Sequence, residues 1–179
     1  MHFVRLATTE RPEYDKALAL YRESFPYHEQ REVRSQGDIL SDEEYRFELV
    51  YDKDIFAGLL LCWETDAFVY VEHFCIFPEL RGRSYGSQTL HLLAQCGKTI
   101  ILEIDPPVDE VSRRRKGFYE RAGFTANAFH HVHPPYHAQN AGHELVVMSC
   151  PNALTEEEYA RFSSYLENTV MKNALKNAY

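Results

Sequence analysis

The run Phe74 to Ser87, FCIFPELRGRSYGS, passes from a β-rich segment through Arg81, Gly82 and Gly86 into a helical pattern. Glycines there permit a tight turn and let a ligand approach the backbone closely. The helix that follows offers unpaired amides and the positive end of its dipole, which suits an anion such as a pyrophosphate. A strand-to-helix turn without a ligand has the same composition, so the run needs a second signal. Two carboxylates lie near it. Glu72 sits on the strand that enters the loop, and strict alternation puts it on the same face as Phe74. Glu103 sits in TIILEID, where apolar neighbours imply burial and, without a partner, a raised pKa. Either could take a proton directly or through water; a strand-edge charge or a buried structural hydrogen bond is the other reading.

Tyr119, on a later helix, reads by spacing alone as a half-buried aromatic. Arg113 to Lys116 form a basic run in an acidic chain. They are a site for a phosphate or a solvated helix face paired with Asp109, Glu110 and Glu120, and helix geometry lets at most two of them face one ligand. Histidines crowd FHHVHPPYH, with His143 soon after. Their spacing matches neither a zinc finger nor a zincin, so the segment reads as a solvated loop stiffened by Pro134-Pro135, and no metal is expected. Cys75 has no evident adjacent base, so a covalent acyl-enzyme has no support.

The elements that must hold these residues follow from periodicity. His2 to Ala7 reads as a strand, Pro12 to Phe25 as a helix, and His28 to Asp42 as a polar loop with a short helix. Tyr45 to Tyr51, Ile55 to Trp63 and Phe68 to Phe77 read as an antiparallel meander. Tyr85 to Cys96 is helical and stopped by Gly97; Thr99 to Asp105 is a short strand closed by Pro106-Pro107. Asp109 caps a helix with Val111, Phe118 and Ala122 inward. Phe124 to Phe129 and Glu144 to Ser149 read as the final strands, and Thr155-x-x-Glu158 is a capping box for a last helix with Tyr159, Phe162, Leu166 and Val170 on one face. The chain has 179 residues with a net charge of −8. That size and mixture point to one α/β (α+β) domain over residues 1–179, and the acidity argues against nucleic acid as a partner. Four cysteines outside any CxxC pair read as small core residues in a reducing compartment. The longest apolar run, Ile55 to Trp63, is too short to span a bilayer, so a soluble cytoplasmic protein with no membrane partner is expected.

Two motifs together give a resemblance. Arg81-Gly82-Arg83-Ser84-Tyr85-Gly86 is similar to the (Q/R)-x-x-G-x-(G/A) loop of the GNAT N-acetyltransferase superfamily, with Ser84 in place of the first glycine. Phe118-Tyr119-Glu120-Arg121-Ala122-Gly123-Phe124 is similar to that family's F-Y-x-x-x-G-F helix. The resemblance implies a mixed, mostly antiparallel sheet of about seven strands flanked by helices. It implies acetyl-CoA as co-substrate, with no metal. The pantetheine arm would pair with the backbone of Phe74, Cys75 and Ile76. The pyrophosphate would lie on the amides of Arg81, Gly82, Arg83, Ser84, Tyr85, Gly86 and Ser87, with Ser112, Arg115 and Tyr119 nearby.

Tyr119 would protonate the departing thiolate, and Glu72, or else Glu103, would serve as base. Tyr136, His137 and the 28–42 stretch would select the acceptor. The expected activity is acetyl transfer to a primary amine, small-molecule or peptide, by direct attack in a ternary complex; the alternative is a non-catalytic acyl-CoA-binding sensor. A monomer or homodimer is expected.

Overall fold

Alternation along the central strands builds two cores, one on each side of a sheet. The computed structural model describes residues 1–172 and 174. Its strands are β1 (His2–Leu6), β2 (Tyr45–Asp52), β3 (Ile55–Glu64), β4 (Phe68–Ile76), β5 (Thr99–Ile104), β6 (Thr125–Ala126), β7 (His131–His133) and β8 (His143–Cys150). Its helices are α1 (Glu13–Ser24), α2 (Val33–Asp38), α3 (Tyr85–Ala94), α4 (Glu110–Arg121) and α5 (Glu156–Tyr165), the last running into a π-helical turn, Leu166–Val170. Phe47, Leu49, Leu59, Leu61, Trp63 and Tyr70 face one core with α1 and α5. Val50, Leu60, Val69, Val71 and Leu102 face the other with α3 and α4. Each such side chain removed from water contributes roughly 1.5–3 kcal/mol.

The strand order is β1-β2-β3-β4-β5-β8-β6, with β7 also pairing β8. Every pairing is antiparallel except β4 with β5. That parallel pair holds only from Phe68↔Thr99 to Val71↔Leu102. Beyond it β5 continues along β8 to Ile104↔Val146, while β4 continues along β3 to Gly58↔Ile76. The two strands splay apart, and the β5-facing backbone edge of β4 from Glu72 to Ile76 lacks a strand partner among the described residues. A row of unpaired backbone donors and acceptors is a template for an extended ligand.

A register shift in the β3–β4 ladder leaves Glu72 as the extra residue, with Leu61↔His73 on one side and Cys62↔Val71 on the other. A bulge reverses alternation. Glu72 and His73 therefore both turn toward the α1 side, and Phe74 packs with the α3–α4 core. The expected shared face of Glu72 and Phe74 is thus corrected.

Several other expectations change. The sheet has eight strands. The strand expected over Phe124 to Phe129 shrinks to Thr125–Ala126, and a strand appears at His131–His133 within the histidine-rich segment. Val111 is exposed, because the Asp109 capping box turns Ser112 and Tyr119 inward instead. Cys96 is exposed, whereas Cys62 and Cys75 are buried. Among the described residues, no helix is long and apolar enough to cross a membrane.

Candidate active site

The splay between β4 and β5 opens a cleft of about 1530 Å³. One end is the loop before α3. Gly82 (φ 76°) and Ser84 (φ 63°) are both left-handed there, so the Ser84 position carries the strain that glycine would avoid. The first amides of α3 have no partner within the helix and carry its positive dipole. Arg114, Arg115 and Arg121 of α4 also line the cleft, with Arg114 paired to Glu110 and Arg115 to Asp105, each at 2.6 Å. A Cβ on Gly86 would meet the Phe118 ring at 3.1 Å. The two motifs thus touch each other, and Gly86 is small because of Phe118.

Tyr119 is a buried ring that also lines the cleft. Burial pushes its hydroxyl up to about 12, so it is a proton donor at neutral pH. No protein hydrogen bond among the described residues engages that hydroxyl. Burial also raises the Cys75 thiol, the direction that disfavours a thiolate nucleophile.

The floor beyond Tyr119 is a buried ionic network. Arg31 and Glu72 have fully buried side chains, and Arg31 Nε donates to Glu72 Oε1 at 2.8 Å. Tyr136 donates to the same oxygen at 2.8 Å, and Trp63 Nε1 donates to Oε2 at 2.8 Å. Burial pushes the Glu72 carboxyl up; Arg31 and these donors outweigh it, leaving the group below the usual carboxylate range. Arg31 also donates to the Val170 carbonyl at 2.6 Å, tying the end of the last helix to the floor. Glu103 forms a second knot. Tyr70 donates to its Oε2 at 2.5 Å, His131 Nε2 bonds its Oε1, and His133 Nε2 lies 3.9 Å from Oε2. Burial again raises this carboxyl, and the His133, His131 and Tyr70 contacts bring it lower than its ordinary value.

The far end is a polar mouth. Glu29 and His28 come from the turn after α1, Asp105 from the end of β5, and His143 from the start of β8. His73 beneath them donates from Nε2 to the Glu29 carbonyl at 2.8 Å, and burial lowers its pKa, keeping the ring neutral. One cleft therefore takes in the N-terminus of α3, a protonated hydroxyl, and an opening lined by carboxylates and imidazoles.

Comparison with known proteins agrees with this geometry. A family model described as the acetyltransferase (GNAT) family matches residues 12–124. The chain belongs to that family. A solved structure from Bacteroides thetaiotaomicron, described as an acetyltransferase from the GNAT family, superposes with a TM-score of 0.90 at 31% identity, over 96% of this chain and 98% of that one. The ribosomal-protein-S18-alanine N-acetyltransferase of Escherichia coli shares the fold, with a TM-score of 0.54 and 17% identity over 87% of this chain and 96% of that one. An aminoglycoside 6'-N-acetyltransferase complexed with coenzyme A does likewise, at 0.54 and 14% over 83% and 96%. The acetyltransferase YjbC of Bacillus subtilis (strain 168) is 27% identical over 105 residues, 57% of this chain. That match spans about half, 53%, of the relative's length.

Within this GNAT chain the cleft gathers Phe74, Cys75, Ile76, Arg81, Gly82, Ser84, Tyr85, Gly86, Ser87, Arg115, Tyr119, Glu72, Glu103 and Tyr136. Three expected residues lie elsewhere. Ser112 spends its side chain on the cap of α4, with Oγ donating to Asp109 Oδ1 at 2.9 Å. Arg83 is exposed and does not line the cleft. His137 is buried against Tyr27 and Glu32, with both ring nitrogens engaged at 2.8 Å. The histidine-rich segment is not a solvated loop: His131, His133 and His137 are all buried. Glu72, expected as the base, has both oxygens engaged, and Arg31 holds its proton affinity low. Arg31, Glu29 and Asp105 carry no local mark of a site in the sequence. Arg31 and Glu29 do fall in the polar 28–42 stretch assigned to the acceptor, and that placement was the available signal.

Proposed function

We propose that this chain transfers the acetyl group of acetyl-CoA to a primary amine by direct attack in a ternary complex. The observation that carries this reading is the splay of β4 from β5, which joins the α3 anion site to the acidic mouth through Tyr119. The open edge of β4 at Phe74 to Ile76 would hold the pantetheine amides as a paired strand. The loop amides from Gly82 to Ser87 would hold the pyrophosphate. The coenzyme A bound by the aminoglycoside enzyme of the same fold supports that assignment.

A β4 amide stabilises the oxyanion as the amine nitrogen bonds to the carbonyl carbon. The carbon–sulfur bond breaks, and Tyr119 gives its proton to the leaving thiolate. A cationic acceptor first gives one proton to solvent water in the polar mouth, and the second proton, lost from nitrogen after attack, returns through water to Tyr119. In this reading Glu72 and Glu103 act from below. They hold Arg31, Tyr136, Tyr70 and His131 in place beneath the cleft.

Acetyl-CoA binding is the first test. Free ligand at 100 times its dissociation constant should stabilise the fold by about 2.7 kcal/mol in a melting experiment. A transition unmoved by millimolar acetyl-CoA would remove the co-substrate from the account.

A further inference from the structure

We propose that His28, Glu29 and His143 form a site for a divalent cation of the zinc class at the mouth of the cleft. One ligand atom from each of the three lies within 4.8 Å of the others. Zinc bonds to imidazole nitrogen and carboxylate oxygen are about 2.0–2.2 Å long, which sets neighbouring ligand atoms of a tetrahedral site roughly 3.3–3.6 Å apart. His28 Nε2 is already 3.6 Å from Glu29 Oε1. Small side-chain rotations would close the trio on one ion.

The present contacts do not satisfy these atoms. The His28–Glu29 gap of 3.6 Å and the His143 Nε2–Asp105 Oδ1 gap of 3.5 Å are long for hydrogen bonds. The polar atoms face one another without pairing well. The backbone beneath them, by contrast, is held firmly. The turn at residues 27–29 is pinned through His73 to the Glu29 carbonyl and through His137 to the Tyr27 carbonyl, each at 2.8 Å. His143 is set by the β7–β8 ladder, where it pairs with His133. A Cβ on neighbouring Gly142 would lie 2.6 Å from Val132, so that approach is tight. Asp105 lies beside the trio, held in place by Arg115 at 2.6 Å.

Two imidazoles and one carboxylate select Zn²⁺ or a similar first-row ion over Mg²⁺ and Ca²⁺, which prefer all-oxygen shells. Three protein ligands leave a fourth position open toward the cleft. The site is distinct from the dense run at His130 to His137, whose buried members are committed to Glu103, Pro134, Glu32 and Tyr27. It joins residues more than a hundred positions apart, and it rests on geometry that is independent of the acetyl-transfer reading.

The test is calorimetric titration of ZnCl₂ into folded, tag-free protein, alongside His28→Ala, Glu29→Gln, His143→Gln and the control His130→Ala. Melting curves establish that each variant is folded; all four positions are exposed or partly exposed. The expected result is one ion per chain, no uptake of Mg²⁺, unchanged affinity in His130→Ala, and losses of about 100-fold or more in each of the other three, above the 10–100-fold typical of outer-shell changes. Absence of stoichiometric binding overturns the proposal. So does a wild-type affinity in Glu29→Gln or His143→Gln. Either outcome leaves the acetyl-CoA melting shift untouched.

Discussion

Tyr119→Phe should lower kcat by about 10²–10⁴-fold while leaving acetyl-CoA affinity close to that of the parent protein. The hydroxyl is held protonated at a pKa of about 12 by burial. Its residue lines the same cleft as the loop before α3 and the polar mouth. Because no protein partner engages it among the described residues, its removal breaks no internal hydrogen bond. The ring stays in the core with Phe118 and Phe124, so the fold is preserved. The effect should therefore fall on thiolate departure. The check is kcat under conditions where chemistry limits the rate, with the acetyl-CoA dissociation constant measured separately. An unchanged kcat there removes the tyrosine from the mechanism.

Glu72→Gln should cost about 3–5 kcal/mol of stability, because it leaves the buried Arg31 guanidinium without its counter-charge. Adding Arg31→Met should recover a large part of that loss, since the two groups form one unit. Urea unfolding of both single variants and the double variant measures the coupling. The pH dependence has a definite sign. The folded-state pKa of Glu72 is depressed, so its contribution is present above the unfolded value of about 4.3 and is lost as pH falls through the lower folded value. Glu72→Gln should lack that acid-side loss. A variant that unfolds like the parent, yet loses the acidic limb of its rate–pH profile, would return Glu72 to the role of base and contradict its assignment to the floor.

Much of this architecture is legible in the chain because local rules act alone there. The cap at Asp109, the Thr155–Glu158 capping box and the left-handed Gly97 all sit where spacing places them. The loop from Arg81 to Ser87 and the Tyr119 helix meet because both motifs border the same splay. What eludes the sequence depends on distant partners. The bulge at Glu72 breaks the period on which alternation relies, so it reverses the faces of Glu72 and Phe74. The Arg31–Glu72 pair spans 41 positions and gives neither residue a local mark. The histidines at 131 and 133 look like solvated residues by type, yet Glu103, Tyr159 and the Pro134 carbonyl supply the partners that let them be buried. Buried polar groups need such partners, and their identity is a property of the assembled fold.

Initial rates of thiol release with acetyl-CoA and a cationic primary amine both varied test the central claim most directly. Direct attack in a ternary complex predicts release that depends on the amine, intersecting double-reciprocal lines, and an acetylated amine in the product mixture. Parallel lines with an acetyl group found on Cys75, or release indifferent to every amine offered, would contradict it.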